Sequence, residues 1–195
     1  MFVIFDTEYI ADKGKHEEGF DGWKNREITQ IAAIKVDDHL NVVDELNIYL
    51  RLKLHSHIGK YFVELTGITD EKLSKEGIDF PKAYELFRAF VGDLNCYSHG
   101  WTASMSVLGD GEIMFEMMRL YDLKDDNPPK YKNIAPWFCE AYQRRGIDIK
   151  KQNSGAIARL LGKEAELEKL GLAEHNAFYD VYSILTGLRF LQFCD

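Results

Sequence analysis

The sequence predicts an α/β domain in which helices cover a mixed β-sheet, and three observations support this. Three strand-like segments follow one another in the first part of the chain. Helical and strand patterns then alternate, and the last third reads as helices. No internal repeat, low-complexity run or linker divides the 195 residues, so one domain spanning residues 1–195 is expected. This order of elements is typical of a mixed sheet flanked by helices.

The first three predicted strands form a meander. Met1–Tyr9 is apolar and β-branched, Ile28–Asp37 has the same character, and Val42–Leu54 alternates polar with apolar residues. The segment Asp37–Asn41 is predicted as the hairpin turn between the second and third strands. The polar, glycine-containing segment Ile10–Arg26 is predicted as a loop.

Apolar residues at helical spacing mark most of the remaining chain. They predict helices over Phe80–Val91, Glu112–Tyr121, Asn133–Arg145, Ser154–Leu161 and Glu174–Phe193. A further short helix is expected to be capped by Thr69 or Asp70. Pro136 is expected in the first turn of its helix, where a missing N–H does no harm. Leu94–His99 is predicted as a short strand.

The charge and the cysteines restrict the function and the compartment. A net charge of −8 argues against a broad basic surface that coats duplex nucleic acid, although it leaves room for an enzyme that grips one strand end. Cys96, Cys139 and Cys194 have neither CxxC nor zinc-ligand spacing, which favours a reducing cytoplasm. Neither a signal peptide nor an apolar run of about 18 residues is present, so no membrane span is expected.

The stretch FDTEY places two carboxylates at the end of a buried strand. Because side chains alternate along a strand, Asp6 and Glu8 point to one face and Thr7 to the other. Two neighbouring buried anions repel each other unless a cation compensates them. The pair therefore indicates a divalent-metal site, and the alternative is a strand end at which both acids are hydrated.

Two further segments carry acids that suit the same site. In HNAFYD, Asp180 can bind a metal while His175 approaches from the turn or first helical turn before it. The alternative is an ordinary helix start with both groups exposed. Asp110 lies between two glycines at a helix start, where an N-cap is the alternative and Glu112 is a competitor for the metal role.

Taken in order, these residues resemble the DEDDh exonucleases, a superfamily with a ribonuclease H-like fold that includes ribonuclease T, oligoribonuclease and the bacterial proofreading exonuclease subunit. FDTEY resembles the first motif of the family, and HNAFYD resembles the third, H-x4-D. Asn176 stands where the DEDDy branch has tyrosine. LTGIT (Leu65–Thr69) and ITQIAAIKVD also resemble family segments. The middle motif departs from the family pattern, so Asp110 is assigned by its order and its place at a helix start.

The resemblance implies a ribonuclease H-like mixed sheet and a 3′–5′ exonuclease that uses two divalent cations, Mg²⁺ or Mn²⁺. The implied metal ligands are Asp6, Glu8, Asp110 and Asp180. Such cations prefer carboxylate oxygen and stabilise the charge that develops when a phosphodiester is hydrolysed. His175 is implied as the general base, because an imidazole titrates near the working pH.

The resemblance also implies a pocket for the 3′-terminal nucleotide formed by Thr7, Tyr9, Leu65 and Thr66. The expected partners are single-stranded RNA or DNA 3′ ends, whose unpaired bases stack on aromatic side chains. A homodimer is a further expectation, since several members of the family are dimers. Three alternatives stay open: a non-catalytic nucleic-acid-binding module, a module docked on a polymerase or ribonucleoprotein, and a sugar-phosphate or nucleotide phosphatase.

Overall fold

The structure is a computed structural model that describes residues 1–16, 19–100, 108–150, 152–169, 171 and 173–193, with only the backbone of 12–16, 19–24 and 193. The strands are β1 (Phe2–His16), β2 (Gly19–Val36), β3 (Val42–Tyr49), β4 (Asn95–Ser98) and β5 (Lys130–Asn133). The helices are α1 (Lys60–Thr66), α2 (Asp70–Glu76), α3 (Phe80–Val91), α4 (Gly111–Leu120), α5 (Ala135–Gln143), α6 (Ala156–Leu160), α7 (Glu164–Glu168) and α8 (Ala177–Phe193).

The sheet is mixed, which confirms the predicted fold class. Its strand order is β3-β2-β1-β4-β5. The meander β1-β2-β3 is antiparallel, whereas β4 and β5 are added in parallel. β1 therefore lies at the centre of the sheet, with neighbours on both sides.

The two faces of the sheet bury two separate cores, and β1 contributes to both. Val3 and Phe5 pack with residues of α3 and α4, whereas Ile4 packs with residues of α5, α6 and α8. Because side chains alternate along a strand, Asp6 and Glu8 continue the face of Ile4. The two acids of β1 are thus directed to the layer that contains α8.

The predicted loop over Ile10–Arg26 is wrong for the described residues, and positions 17–18 lie outside them. β1 continues to His16 and β2 begins at Gly19, and the two pair in antiparallel register with irregularities after Glu8, Ile10 and Lys13. An antiparallel ladder satisfies backbone N–H and C=O groups whatever the side-chain polarity, and bulges absorb the mismatches in register. Polar composition alone therefore gave a misleading signal here.

Other element bounds follow the prediction closely, with a few differences. Thr69 caps α2 by accepting from the Lys72 N–H at 3.1 Å, and Pro136 lies in the first turn of α5, as expected. β3 ends at Tyr49, five residues before the predicted end at Leu54. β5 was not predicted, because its four residues are too few and too polar to show a strand pattern. Within the described part of the chain, no helix is long and apolar enough to cross a membrane.

Candidate active site

Three carboxylates meet where β1 passes the first turn of α8. One oxygen each from Asp6, Glu8 and Asp180 lies within 4.8 Å of the others. Asp6 and Asp180 are 6% and 4% exposed, and Glu8 is partly buried. The structure thus brings Asp180 next to Asp6 and Glu8, which lie more than 170 residues earlier in the sequence.

Asp110 joins this cluster from the turn before α4. Asp110 is at the N-cap position of α4, but its side chain makes no capping hydrogen bond. The backbone N–H of Thr7, the residue between the two acids of β1, acts against the burial that raises the pKa of Asp110. The N–H of Asp110 donates to Ser98 Oγ at 2.9 Å. Gly109 has a φ of +56°, and a Cβ there would lie 2.2 Å from Ser98 Oγ, so this tight turn requires glycine.

Burial raises the pKa of all four carboxyl groups, and repulsion by neighbouring carboxylates raises it further for Asp6, Glu8 and Asp180. Burial is the largest cause in each case, and it raises the pKa of Asp110 and of Asp180 to about 7. The pKa of Asp6 lies well above its ordinary value because of burial and the charges of Asp110, Asp180 and Glu8. Such a cluster is unfavourable without positive charge.

The cluster fits divalent cations. Asp110 Oδ2 and Asp180 Oδ1 are buried oxygens with no hydrogen-bond partner among the described residues, and so is Thr7 Oγ1. Buried polar atoms without partners are uncommon in folded proteins, and hard cations select carboxylate oxygen. Asp6, Glu8, Asp110 and Asp180 are the residues that would hold the metal.

Ser154, which the sequence analysis did not single out, bridges two of the acids. Its Oγ lies 3.2 Å from Asp6 Oδ1 and 2.9 Å from Asp180 Oδ2. One hydroxyl proton satisfies only one of these acceptors at a time. The next residue must be small, because a Cβ on Gly155 would lie 2.5 Å from Asp180 Oδ1.

We expect Ser154→Ala to weaken metal binding roughly 10- to 100-fold, the usual effect of losing a partner that orients a ligand. The variant loses the hydroxyl that orients both carboxylates. Calorimetric titration with Mg²⁺ and Mn²⁺ measures the effect, and Ser74→Ala on the exposed face of α2 is the control. An unchanged affinity would contradict this role for Ser154.

His175 lies in the turn immediately before α8, with a φ of +65° and a side chain that is 34% exposed. Its backbone N–H acts against the burial that raises the pKa of the Asp180 carboxyl group. Gln30 on β2 anchors this turn: its Oε1 accepts from the Ala177 N–H and its Nε2 donates to Asn176 Oδ1, both at 3.2 Å. His175 is therefore placed next to the acids by contacts of its backbone and its neighbours.

Arg26 on β2 is a second residue that the sequence analysis missed. It forms a two-point ion pair with Glu116 on α4, and its guanidinium lies 5.9 Å from the centre of the Tyr9 ring. Its charge acts against the burial that raises the pKa of Asp110. The ion pair therefore ties α4, and the turn carrying Asp110, to the sheet.

A cavity of about 820 Å³ adjoins the acids on the side of Glu8. It is lined by Glu8, Tyr9, Ile10, Ala11, Leu54, His55, Ser56, His57, Gly59, Tyr61, Phe62 and Leu65. Of the residues expected to bind substrate, Tyr9 and Leu65 are in this lining, whereas Thr7 and Thr66 are not. Thr7 is buried on the opposite face of β1. The Thr66 hydroxyl donates to the Phe62 carbonyl and accepts from the Ile68 N–H.

Comparison with known proteins gives a family match and several solved structures with a similar fold. The RNase T family model, described as an exonuclease, matches residues 3–186. The nuclease domain of 3′hExo, a DEDDh family member bound to rAMP, is 19% identical with a TM-score of 0.69, covering 98% of this chain and 92% of that one. Cell-death related nuclease 4 is 18% identical with a TM-score of 0.70, covering 99% and 64%.

E. coli exonuclease I in complex with a dA16 oligonucleotide is 16% identical with a TM-score of 0.66, covering 98% of this chain and 40% of that one. The comparison with curated protein sequences gave no significant match. The family match spans most of the chain, and the structural matches have the same α/β fold. The chain therefore belongs to the exonuclease family, and its fold is that of the DEDDh superfamily.

Proposed function

We propose that the chain is a metal-dependent 3′–5′ exonuclease that shortens single-stranded RNA or DNA. The observation that carries this proposal is the cluster of Asp6, Glu8 and Asp180 beside an open cavity. Asp110 lies close enough for its charge to raise the pKa of all three, and buried oxygens of Asp110 and Asp180 have no hydrogen-bond partner among the described residues. The bound ligands of two structural neighbours, rAMP in 3′hExo and an oligonucleotide in exonuclease I, support a nucleic-acid substrate.

In this mechanism Asp6, Glu8, Asp110 and Asp180 would hold two divalent cations, Mg²⁺ or Mn²⁺. When bound, the cations stabilise the charge that develops on the attacking and leaving oxygens. His175 removes the proton from the attacking water, for which its position beside Asp180 and its partial exposure are suited. Ser154 keeps Asp6 and Asp180 directed at the same point.

The cavity beside Glu8 receives the terminal nucleotide. Tyr9, Phe62 and the exposed ring of Tyr61 provide aromatic surface on which an unpaired base stacks. A base in a duplex is already stacked and paired, so a free strand end enters the cavity at a lower energetic cost. This favours single-stranded ends over duplex ends.

A 5′-labelled oligonucleotide, supplied as RNA and as DNA with Mg²⁺ or Mn²⁺, tests the proposal. We expect a ladder that shortens from the 3′ end, and we expect Asp110→Asn to abolish it. Glu112→Gln is the matched control, because this residue is the nearby acid that competes for the metal role in the sequence. The ratio of RNA to DNA cleavage then defines the substrate class.

An intact oligonucleotide in the presence of folded protein and metal would contradict the exonuclease proposal. Binding of the strand without cleavage would then favour a non-catalytic module on the same fold. Release of phosphate from mononucleotides would favour a phosphatase. Normal activity of the Asp110→Asn variant would show that Asp110 is not a metal ligand. Glu112 would then be the next candidate for that role.

A further inference from the structure

Glu27 is a fully buried carboxylate that the mechanism above does not use. It lies on β2, and its side chain is 0% exposed. It accepts hydrogen bonds from three successive backbone N–H groups, those of Lys53, Leu54 and His55. The His55 ring adds a fourth contact, with Nδ1 at 3.0 Å from Glu27 Oε2.

These bonds fix one wall of the cavity beside Glu8. The segment from Leu54 to His57 lies in the cavity lining, and its first two residues are among those whose N–H groups Glu27 binds. Without this acceptor, three neighbouring N–H groups would lose their partner, and the segment would have no ladder to join because β3 ends at Tyr49. Glu27 therefore helps to determine the shape of the cavity by holding residues of its lining, although Glu27 is not itself in that lining.

His55 lines the cavity, and its ring is held by Glu27. Its side chain is 17% exposed, and the contact of Nδ1 with Glu27 restrains the rotation of the imidazole. A polar ring locked in one orientation distinguishes ligands better than a mobile ring, because each ligand must match the same fixed edge. Ser56 and His57, bonded to each other at 3.1 Å, follow His55 on the same wall.

We propose that His55 is a specificity-determining residue for the 3′-terminal nucleotide and that Glu27 is its positioning residue. This inference rests on the proposed exonuclease function, and it adds that the chain discriminates among terminal bases through this wall. Glu27 contacts the backbone and ring of the wall, whereas His55 contacts the nucleotide.

Oligonucleotides that differ only in the 3′-terminal base test the inference. We expect His55→Ala to change the ratios of kcat/KM among the four 3′-terminal bases at least threefold. The change should come from KM, and kcat should stay within twofold of the wild-type value. Glu27→Gln should change the ratios in the same direction, because an amide cannot accept all four donors. His39→Ala, at an exposed histidine in the β2–β3 turn, is the control.

His55→Ala keeps the test decisive if Glu27→Gln does not fold, because it leaves the three backbone bonds to Glu27 in place. Calorimetric binding of AMP, CMP, GMP and UMP in Ca²⁺ separates the inference from the exonuclease proposal. A change in the ranking of these nucleotides on His55→Ala supports the inference even if the wild type cleaves nothing. Cleavage by the wild type with unchanged ratios in His55→Ala overturns the inference alone. Absence of both cleavage and nucleotide binding overturns both.

Discussion

Asp6→Asn is expected to abolish cleavage and, without divalent metal at pH 8, to stabilise the fold. Asp6 is buried against Asp110, Asp180 and Glu8, and burial together with their charges raises its pKa well above its ordinary value. At pH 8 the ionisation of Asp6 therefore favours the unfolded chain. Asparagine keeps the shape and the acceptor for Ser154 but removes one of the charges. Removing buried like-charge repulsion stabilises the protein, even though the same change removes a metal ligand.

Thermal unfolding with and without Mg²⁺ measures both effects. For the wild type, metal at about 100 times its Kd adds about 2.7 kcal/mol. A contribution of this size raises the Tm of a chain of this length by roughly 5–10 °C. Without metal, we expect Asp6→Asn to have a higher Tm than the wild type. With Mg²⁺, we expect the variant to show no metal-induced increase in Tm.

The control is Asp44→Asn, because Asp44 is an exposed residue of β3 whose only described ion pair, with Lys35, spans 3.6 Å. It should leave both the Tm and the metal-induced increase within error of the wild type. An Asp6→Asn variant that is less stable than the wild type without metal would contradict the repulsion argument. An Asp6→Asn variant that keeps the full metal-induced increase in Tm would show that Asp6 is not a metal ligand.

His175→Asn is expected to lower turnover by about 10²- to 10⁴-fold, the usual contribution of a general base. Metal-induced stabilisation should be retained, because the proposed metal ligands are the four carboxylates and not the imidazole. Asparagine is the better replacement here, since His175 has a φ of +65° and asparagine tolerates this region while alanine is strained. The backbone N–H that acts on the pKa of Asp180 remains in place.

Single-turnover cleavage and thermal unfolding with Mg²⁺ separate the two effects. His175→Ala should show the same loss of turnover with an additional loss of stability from backbone strain. Near-normal turnover in His175→Asn would reject the general-base role. Loss of turnover together with loss of the metal-induced Tm increase would instead assign His175 to metal binding.

Local patterns were sufficient for much of the fold. Alternation along Met1–Tyr9 predicted that Asp6 and Glu8 share a face, and the structure places them on the α8 side of the sheet. Helical spacing predicted the helix from Phe80 to Val91 with the bounds of α3. These features depend on neighbours within a few residues, so a sequence window contains the whole signal.

Composition failed where pairing rather than side-chain character decides the structure. The Ile10–Arg26 segment has the glycines and charges of a loop, yet its backbone extends the β1–β2 pair. Each strand of that extension supplies the hydrogen-bond partners of the other, which no window over one strand reveals.

The acidic residues of the site could be predicted without a structure, because the alternating acids of β1 and the helix-start motif of α8 are local patterns. The polar side chains that support these acids could not, because they are brought together by folding. Ser154 meets Asp6 across 148 residues, and Glu27 meets His55 across 28. Isolated serine and glutamate residues have no periodicity to mark them. Their roles arise because the sheet and the packed helices exclude water from these buried acids and N–H groups, which must then be satisfied by partners within the protein.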